Sequence, residues 1–451
     1  MASDRLWVRG GTLVTMDAQQ RVLSGDLLIE DGRIVALGTA LDPASVAGAR
    51  VIDAAGKAVL PGFVQGHVHL GQALLRGLAE GRELLDWLRE RIWPLEAAHD
   101  HESAYWSGML GAADCLLSGT TTIQEIGLVT HMEAIFEAIR DSGLRAVAGK
   151  CLMDTGLGVP EALLEDPDAA LAESAELHAR WHGAEQGRIH VELCPRFILS
   201  CSQTLWEGTA ELAARLGIPV HTHLLEHPRE EDEVVAVLGR GQMEFLDETG
   251  ILDTDLRIAH GVQFGPKHAE ILAGRSLRIA HCPSANLKLG SGIADLAFLR
   301  STPGVSVGIG TDGAPCNNDM DILEEIRLAA LLQSLRQGPG RFSGRDALSL
   351  ATIDGARALG LEHEIGSLEL GKAGDLVVLD LERPATFGPV GVDIHDRIVF
   401  AAARDAVCWV VVGGRVLVDH GRLPGFDEEA LAKRPAEAIA AVLERSGLAG
   451  A

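Results

Sequence analysis

The sequence predicts an α/β protein: a (β/α)8 barrel of the TIM type, joined to a small β-sandwich domain built from both chain ends. Three observations predict it. Short apolar runs alternate with longer helical patterns across residues 61–362. Hairpin texture fills residues 1–60 and returns after residue 363, ahead of a helical tail that closes the chain. Imidazoles and carboxylates gather where the apolar runs stop.

The first sixty residues carry "LWVRGGTLVT", "GDLLIEDGRIVALG" and "ARVIDAAGKAVLPG", β-rich runs separated by Gly and Asp turns. The same texture recurs in "GSLELGKAGDLVVLDL" and "AVCWVVVGGRVLVDHGR". Turn residues between such runs are hairpin signals, so residues 1–60 and 363–451 are expected to form one composite domain around an inserted barrel. Within 61–362 the expected strands are "GFVQGHVH", "TTTIQEI", "LRAVAGKC", "RIHVELCPR", "IPVHTH", "LRIAHG", "SLRIAHCP" and "VSVGIGTD". Helical stretches such as "LWEGTAELAARLG" lie between them. Strand–helix alternation of this kind signals a parallel sheet. In a barrel of eight such units the active site occupies the C-terminal strand ends.

Composition narrows the function. The chain has 451 residues, 47% of them hydrophobic, long enough for a large barrel or two domains. Sixty-four acidic residues against 39 basic ones leave a net charge of −25. Such a surface repels phosphate backbones and argues against nucleic acid as a partner. Seven cysteines without a CxxC pair read as reduced thiols. No run approaches the ~18 apolar residues of a membrane span, and "MASDRLWVRGGTLVTMDA" has no signal-like apolar core. A cytoplasmic homo-oligomer acting on a small molecule is expected.

Residues two apart on a strand share one face. His67 and His69 therefore project together from the first strand end. "HTHLLE" closes the fifth with His221, His223 and Glu226; His260 closes the sixth and Asp312 the eighth. Parallel strands share one mouth, so these groups converge there. Three or four N and O donors around an open position describe a catalytic divalent metal, zinc first, with Fe2+ or Mn2+ as alternatives. Any one of these histidines has an ordinary reading as a hydrogen-bonded core residue; the whole set outweighs it. His223 is the expected donor, because His221 lies deeper in its strand and reads as a packed neighbour. Glu226 leaves the strand and reaches over the mouth, its alternative being a solvated surface charge.

This constellation resembles the amidohydrolase superfamily. The runs "GHVHLGQALLRGLAEGRELLDWLRERIWPLEAAH", "HCPSANLKLGSGIADL" and "GTDGAPCNNDMDILEEIRLAALLQ" narrow the resemblance to one branch. That branch holds S-adenosylhomocysteine/methylthioadenosine deaminases, 5′-deoxyadenosine deaminases, guanine deaminases and triazine hydrolases. The resemblance covers nearly the whole chain. It implies that His67, His69, His223 and Asp312 hold one metal ion. It also implies that Glu226 is the proton shuttle and that His260 hydrogen-bonds the attacking water. Binuclear relatives carry a bridging lysine at the fourth strand end; here that strand ends in "ELCPR", while Lys150 ends the third. One metal is expected, with Lys150 structural or substrate-facing.

A divalent ion lowers the pKa of bound water from 15.7 to about 7. Asp312 would accept the water's proton, and Glu226 would protonate a ring nitrogen and then serve departing ammonia, ordinary general acid–base work. Gln72, Arg196 and Phe197 are the expected heterocycle contacts, by hydrogen bonding and stacking. Glu96 matches a glutamate that binds ribose hydroxyls in adenosine-type relatives, its alternative being a helix-surface charge. The leading substrate is an adenine nucleoside with a modified 5′ group. Guanine comes second, a triazine or pterin third, and a non-catalytic scaffold last.

Overall fold

The computed structural model describes residues 5–389 and 391–450. The eight expected core strands are all present: β1 (Phe63–His69), β2 (Thr120–Ile126), β3 (Arg145–Gly149), β4 (Ile189–Val191), β5 (Val220–Leu224), β6 (Leu256–His260), β7 (Leu277–His281) and β8 (Val305–Ile309). Helices or helical turns separate them, so the class is mixed α/β. Every residue of β1 and β2 is buried. Burial on both faces explains why these strands read as continuous runs without alternation.

The strands fall into two sheets. One has the order β4, β3, β2, β1 and then Asp312–Gly313; the other runs β5, β6, β7, β8 and is parallel throughout. The chain passes from β8 directly to Asp312–Gly313, which pairs in parallel with Val68 and His69 of β1. At the opposite edges a parallel bridge joins Leu193, just beyond β4, to Val220 of β5. The fourth expected run is interrupted after Val191 and resumes at Cys194–Pro195, which pair with Cys151–Leu152, just beyond β3, in the same register as β4 pairs with β3.

Clustering of contacts divides the chain into two compact units. One comprises Met1–Gln65, Ala113–Thr122 and Asp321–Phe426. Its eight-stranded sheet runs in the order Arg415–Asp419, Val407–Val412, Leu376–Asp380, Lys57–Pro61, Arg5–Val14, Val22–Glu30, Arg33–Gly38, with Arg50–Asp53 beside Arg5–Val14. Strands from the two ends of the chain meet where Leu376–Asp380 pairs antiparallel with Lys57–Pro61. Asp31 and Gly32 both take positive φ, 48° and 79°, the two-residue turn that Asp-Gly favours in a hairpin. Leu13, Ile29, Val59, Val378 and Val411 form the core of this sheet.

The other unit comprises Gly66–Ala112, Ile123–Met320 and Asp427–Ala451. It holds all the residues singled out as candidate site groups. The last helix, Glu428–Ser446, packs here: Ala438 and Val442 join a core with Trp93 and Leu95, and Arg445 Nε donates to the Ala98 carbonyl at 2.6 Å. Among the described residues no helix is long and apolar enough to cross a membrane.

Candidate metal centre

The strand ends bring five polar groups into one buried space. His67 and His69 leave β1 on the same side, their ring centroids 4.7 Å apart. His223 of β5 lies 4.9 Å from His67 and 5.2 Å from His69 by the same measure. His260 closes β6, its ring 5.6 Å from that of His223. Asp312 places Oδ1 3.4 Å from Nε2 of both His67 and His69.

Two of these imidazoles have their tautomer fixed from behind. Nδ1 of His69 donates to the Ile126 carbonyl at 2.7 Å, and Nδ1 of His223 donates to the Arg196 carbonyl at 2.7 Å. Each Nε2 is then a bare lone pair, and the two face each other at 3.1 Å. Lone pairs in such contact repel unless something positive lies between. His67 Nε2 faces the Asp312 carboxylate, and its Nδ1 is buried without a hydrogen-bond partner. Burial pushes His67, His69 and His223 below the ordinary imidazole pKa, so they are neutral at pH 7 and able to coordinate. Tetrahedral zinc with Zn–N of 2.0–2.1 Å sets its nitrogens about 3.3 Å apart. The observed donor spacing fits that ion.

Around these donors lie the groups suited to proton transfer. Glu226 is 2% exposed; its Oε2 sits 3.4 Å from His260 Nε2, and its Oε1 accepts from Ser291 Oγ at 3.4 Å. Burial first, then the charges of Asp312 and Glu230, push its carboxyl well above the ordinary range. Asn286 Nδ2 donates to His260 Nδ1 at 2.9 Å, which leaves Nε2–H aimed toward Glu226 and, 3.9 Å away, Asp312 Oδ2. Burial opposes charge on Asp312, yet the surrounding imidazoles, His67 foremost, hold its carboxyl well below the usual carboxylate range. The backbone is unusual here as well. Leu225, His260 and Asp312 take φ of 54°, 74° and 65°, a region costly for residues other than glycine.

A small pocket opens on this centre. Leu84, Trp87, Leu88, Phe197 and Leu289 supply apolar walls; Gln72, Arg196, Glu226 and Glu230 supply polar ones. Glu96 stands behind that lining, on the short helix Trp93–Glu96. Its Oε2 meets Arg196 Nη1 at 2.5 Å, and its Oε1 accepts from Arg196 Nη2 at 3.3 Å and from Gln72 Nε2 at 2.8 Å. With its amide nitrogen committed, Gln72 keeps Oε1 without a partner.

Of the two residues left open by the sequence, Lys150 has partners of its own, whereas the His221 ring lies 5.1 Å from that of His67, beside the donors. Lys150 is buried against Glu165, 2.6 Å away, and the Val129 carbonyl, a structural anchorage. His221 Nδ1 donates to Glu192 Oε1 at 3.1 Å, and Glu192 also receives Gln124 Nε2 at 2.8 Å, so Glu192, Cys194 and His221 form a neighbouring polar cluster with its own partners. Sequence reading missed Asn286, Ser291 and Glu230. The first two sit in "SANLKLGS", which lies mostly on the short helix Pro283–Lys288 after β7 and does not say which side chains turn inward.

Comparison with known proteins gives a consistent result. Residues 58–417 match the amidohydrolase family. The 5′-deoxyadenosine deaminase of Methanobrevibacter smithii is 36% identical, over 94% of this chain and 95% of its own length. The 5-methylthioadenosine/S-adenosylhomocysteine deaminase of Moorella thermoacetica is also 36% identical, over 90% and 92%. A zinc-bound adenosine deaminase structure from Xanthomonas campestris superposes with a TM-score of 0.88 at 29% identity, covering 97% of this chain and 98% of that one.

Proposed function

This chain belongs to the amidohydrolase family, and from that premise we propose that it removes the exocyclic amino group of a 5′-modified adenine nucleoside as ammonia, leaving the inosine analogue. It is a metal-dependent aminohydrolase, with one zinc ion as its cofactor. The observation that carries the reading is the pair of bare Nε2 atoms 3.1 Å apart in the same pocket as the buried Glu226 carboxyl. In the same reading the two sheets form a closed (β/α)8 barrel spanning residues 61–362. Residues 1–60 and 363–451 make the sandwich domain and its helical tail, the tail Glu428–Ser446 packing with the site-bearing unit, and the protein works in the cytoplasm as a homo-oligomer.

His67, His69, His223 and Asp312 would hold the ion. When bound, it supplies Lewis acidity and lowers the pKa of water to about 7. His260 Nε2–H orients the attacking water, and the Asp312 carboxylate accepts its proton. Glu226 arrives protonated and gives its proton to the ring nitrogen beside the attacked carbon, which breaks the ring's conjugation. It then takes the proton of the newly added hydroxyl and delivers it to the leaving amine, and the proton held by Asp312 returns Glu226 to its acid form. Phe197 and Trp87 offer faces for the heterocycle, while Gln72 and Arg196 offer an acceptor and a donor to its edge. Apolar walls exclude bulk water from the exchange.

One observation favours a second reading, guanine as substrate. Both oxygens of Glu96 are already taken by Arg196 and Gln72, so a ribose would have to displace one of them. Ammonia release decides, measured alongside zinc content on 5′-deoxyadenosine, methylthioadenosine, S-adenosylhomocysteine, adenosine, guanine, isoxanthopterin and melamine. Turnover of the first three ahead of guanine is expected. Turnover of guanine alone replaces the nucleoside, and ammonia from none of them ends the proposal.

A further inference from the structure

The turn that aims Glu226 is held by another acid. With Leu225 in left-handed backbone, φ 54°, the chain leaves β5 abruptly. The amides of this buried turn need acceptors. Leu225 N–H donates to Gln242 Oε1 at 3.2 Å. Glu226 N–H donates to Glu230 Oε2 at 3.1 Å, and His227 N–H donates to the same carboxylate.

Glu230 is the third residue of the helix Pro228–Leu238, whose N-cap is His227. A glutamate there that reaches back to the cap amide is one half of a capping box, an ordinary helix device. An ordinary cap has no need to be buried, because the same bonds form in water. This one is 1% exposed and lines the substrate pocket. Its neighbours Glu231 and Asp232, on the same turn, are half-buried and exposed. Burial pushes the Glu230 carboxyl up to about 7, which measures how poorly solvated the position is. Capping alone does not account for a carboxyl set at that depth beside the catalytic acid.

We propose that Glu230 is the positioning residue of the proton shuttle. By gripping the amides of Glu226 and His227 it fixes where the Glu226 carboxyl meets the substrate's ring nitrogen, and it exchanges no proton with substrate itself. The proposal rests on reading Glu226 as that shuttle. Its bland alternative is a helix cap whose loss loosens the helix and nothing else.

The test uses the zinc-loaded full chain and the variants Glu230→Ala and Glu230→Gln, on whichever of 5′-deoxyadenosine and guanine the wild type deaminates. A misplacement of about 1 Å costs on the order of 10²-fold in rate, so E230A should lose about that much in kcat while KM and zinc content stay within about twofold. E230Q keeps a carbonyl acceptor for both amides and should recover most of the lost kcat. Amide exchange across residues 224–228, which needs no turnover, should quicken in E230A and return to wild-type protection in E230Q. Wild-type kcat in E230A overturns the proposal. So does a loss that glutamine fails to recover, or one that falls on KM or zinc. If the wild type deaminates neither of these, the kinetic arm uses whichever other compound of the panel it deaminates; if it deaminates none, the functional reading fails, and the exchange arm still decides the grip: unchanged exchange in E230A refutes it.

Discussion

Replacing Glu226 by glutamine probes the proposed chemistry most directly. The side chain keeps its shape and its Oε1 acceptor for Ser291 Oγ, 3.4 Å away, and loses only the transferable proton. None of the nitrogens facing the ion is touched, so zinc content should equal that of the wild type. The carboxyl is 2% exposed, which leaves no bulk water to stand in as the acid. The loss should therefore sit in the upper half of the 10²–10⁴-fold range for a general acid–base group, or about 4–5.5 kcal/mol of barrier. It should fall on kcat, because the proton moves only in the reaction itself. Stability should change little, since the buried carboxyl is held in its neutral form and glutamine replaces one neutral group by another of the same shape. Ammonia release with zinc analysis on the same sample measures both quantities. Turnover within about tenfold of wild type at full zinc would refute the shuttle assignment.

Asp312→Asn removes the one anion among the proposed donors, 3.4 Å from two imidazoles; zinc affinity should fall at least about 10–100-fold and turnover with it, and normal values for both in a zinc titration contradict the role. Glu96→Gln leaves Arg196 buried without its counter-charge, a loss of about 3–5 kcal/mol in chemical denaturation. Most of that loss should return in the double variant with Arg196→Met, and a cost under about 1 kcal/mol would show the pair to be incidental. Glu230 gives a pH signature. Its folded pKa, about 7, lies above the ordinary carboxyl value of 4.5, so between those values the folded state holds a proton that the unfolded state has lost, and stability falls as pH rises. E230Q should flatten the wild-type slope across that window, and an unchanged difference between the two proteins at pH 5 and pH 7 rules the linkage out.

The strand ends could be read from sequence because buried parallel strands leave a plain signature: an apolar run that ends in polar residues. In β1 and β5 the period of two added a second constraint, placing His67 with His69 and His221 with His223 on shared faces. Glu230 carries no such mark. It stands in "HPREEDE", where every acid looks like part of a solvated first helical turn, and only folding shows which one turns inward. The Glu96–Arg196 pair joins residues a hundred positions apart, and nothing local to either announces the other. The break after β4 was hidden because "RIHVELCPR" is apolar enough to continue, and its pairing does continue in one register, from Ile189 against Ala146 to Pro195 against Leu152.

The left-handed backbone at His260 and Asp312 bears on how this protein can be improved. Both side chains are almost fully enclosed, both are polar, and both sit on torsions that most residues avoid. Each of those torsions costs about 1–3 kcal/mol. A selection for heat resistance alone would therefore be drawn to these two positions, and each degree gained there would be taken out of turnover. Sturdier versions are better sought in the eight-stranded sheet, whose residues contribute no group to the reaction proposed here.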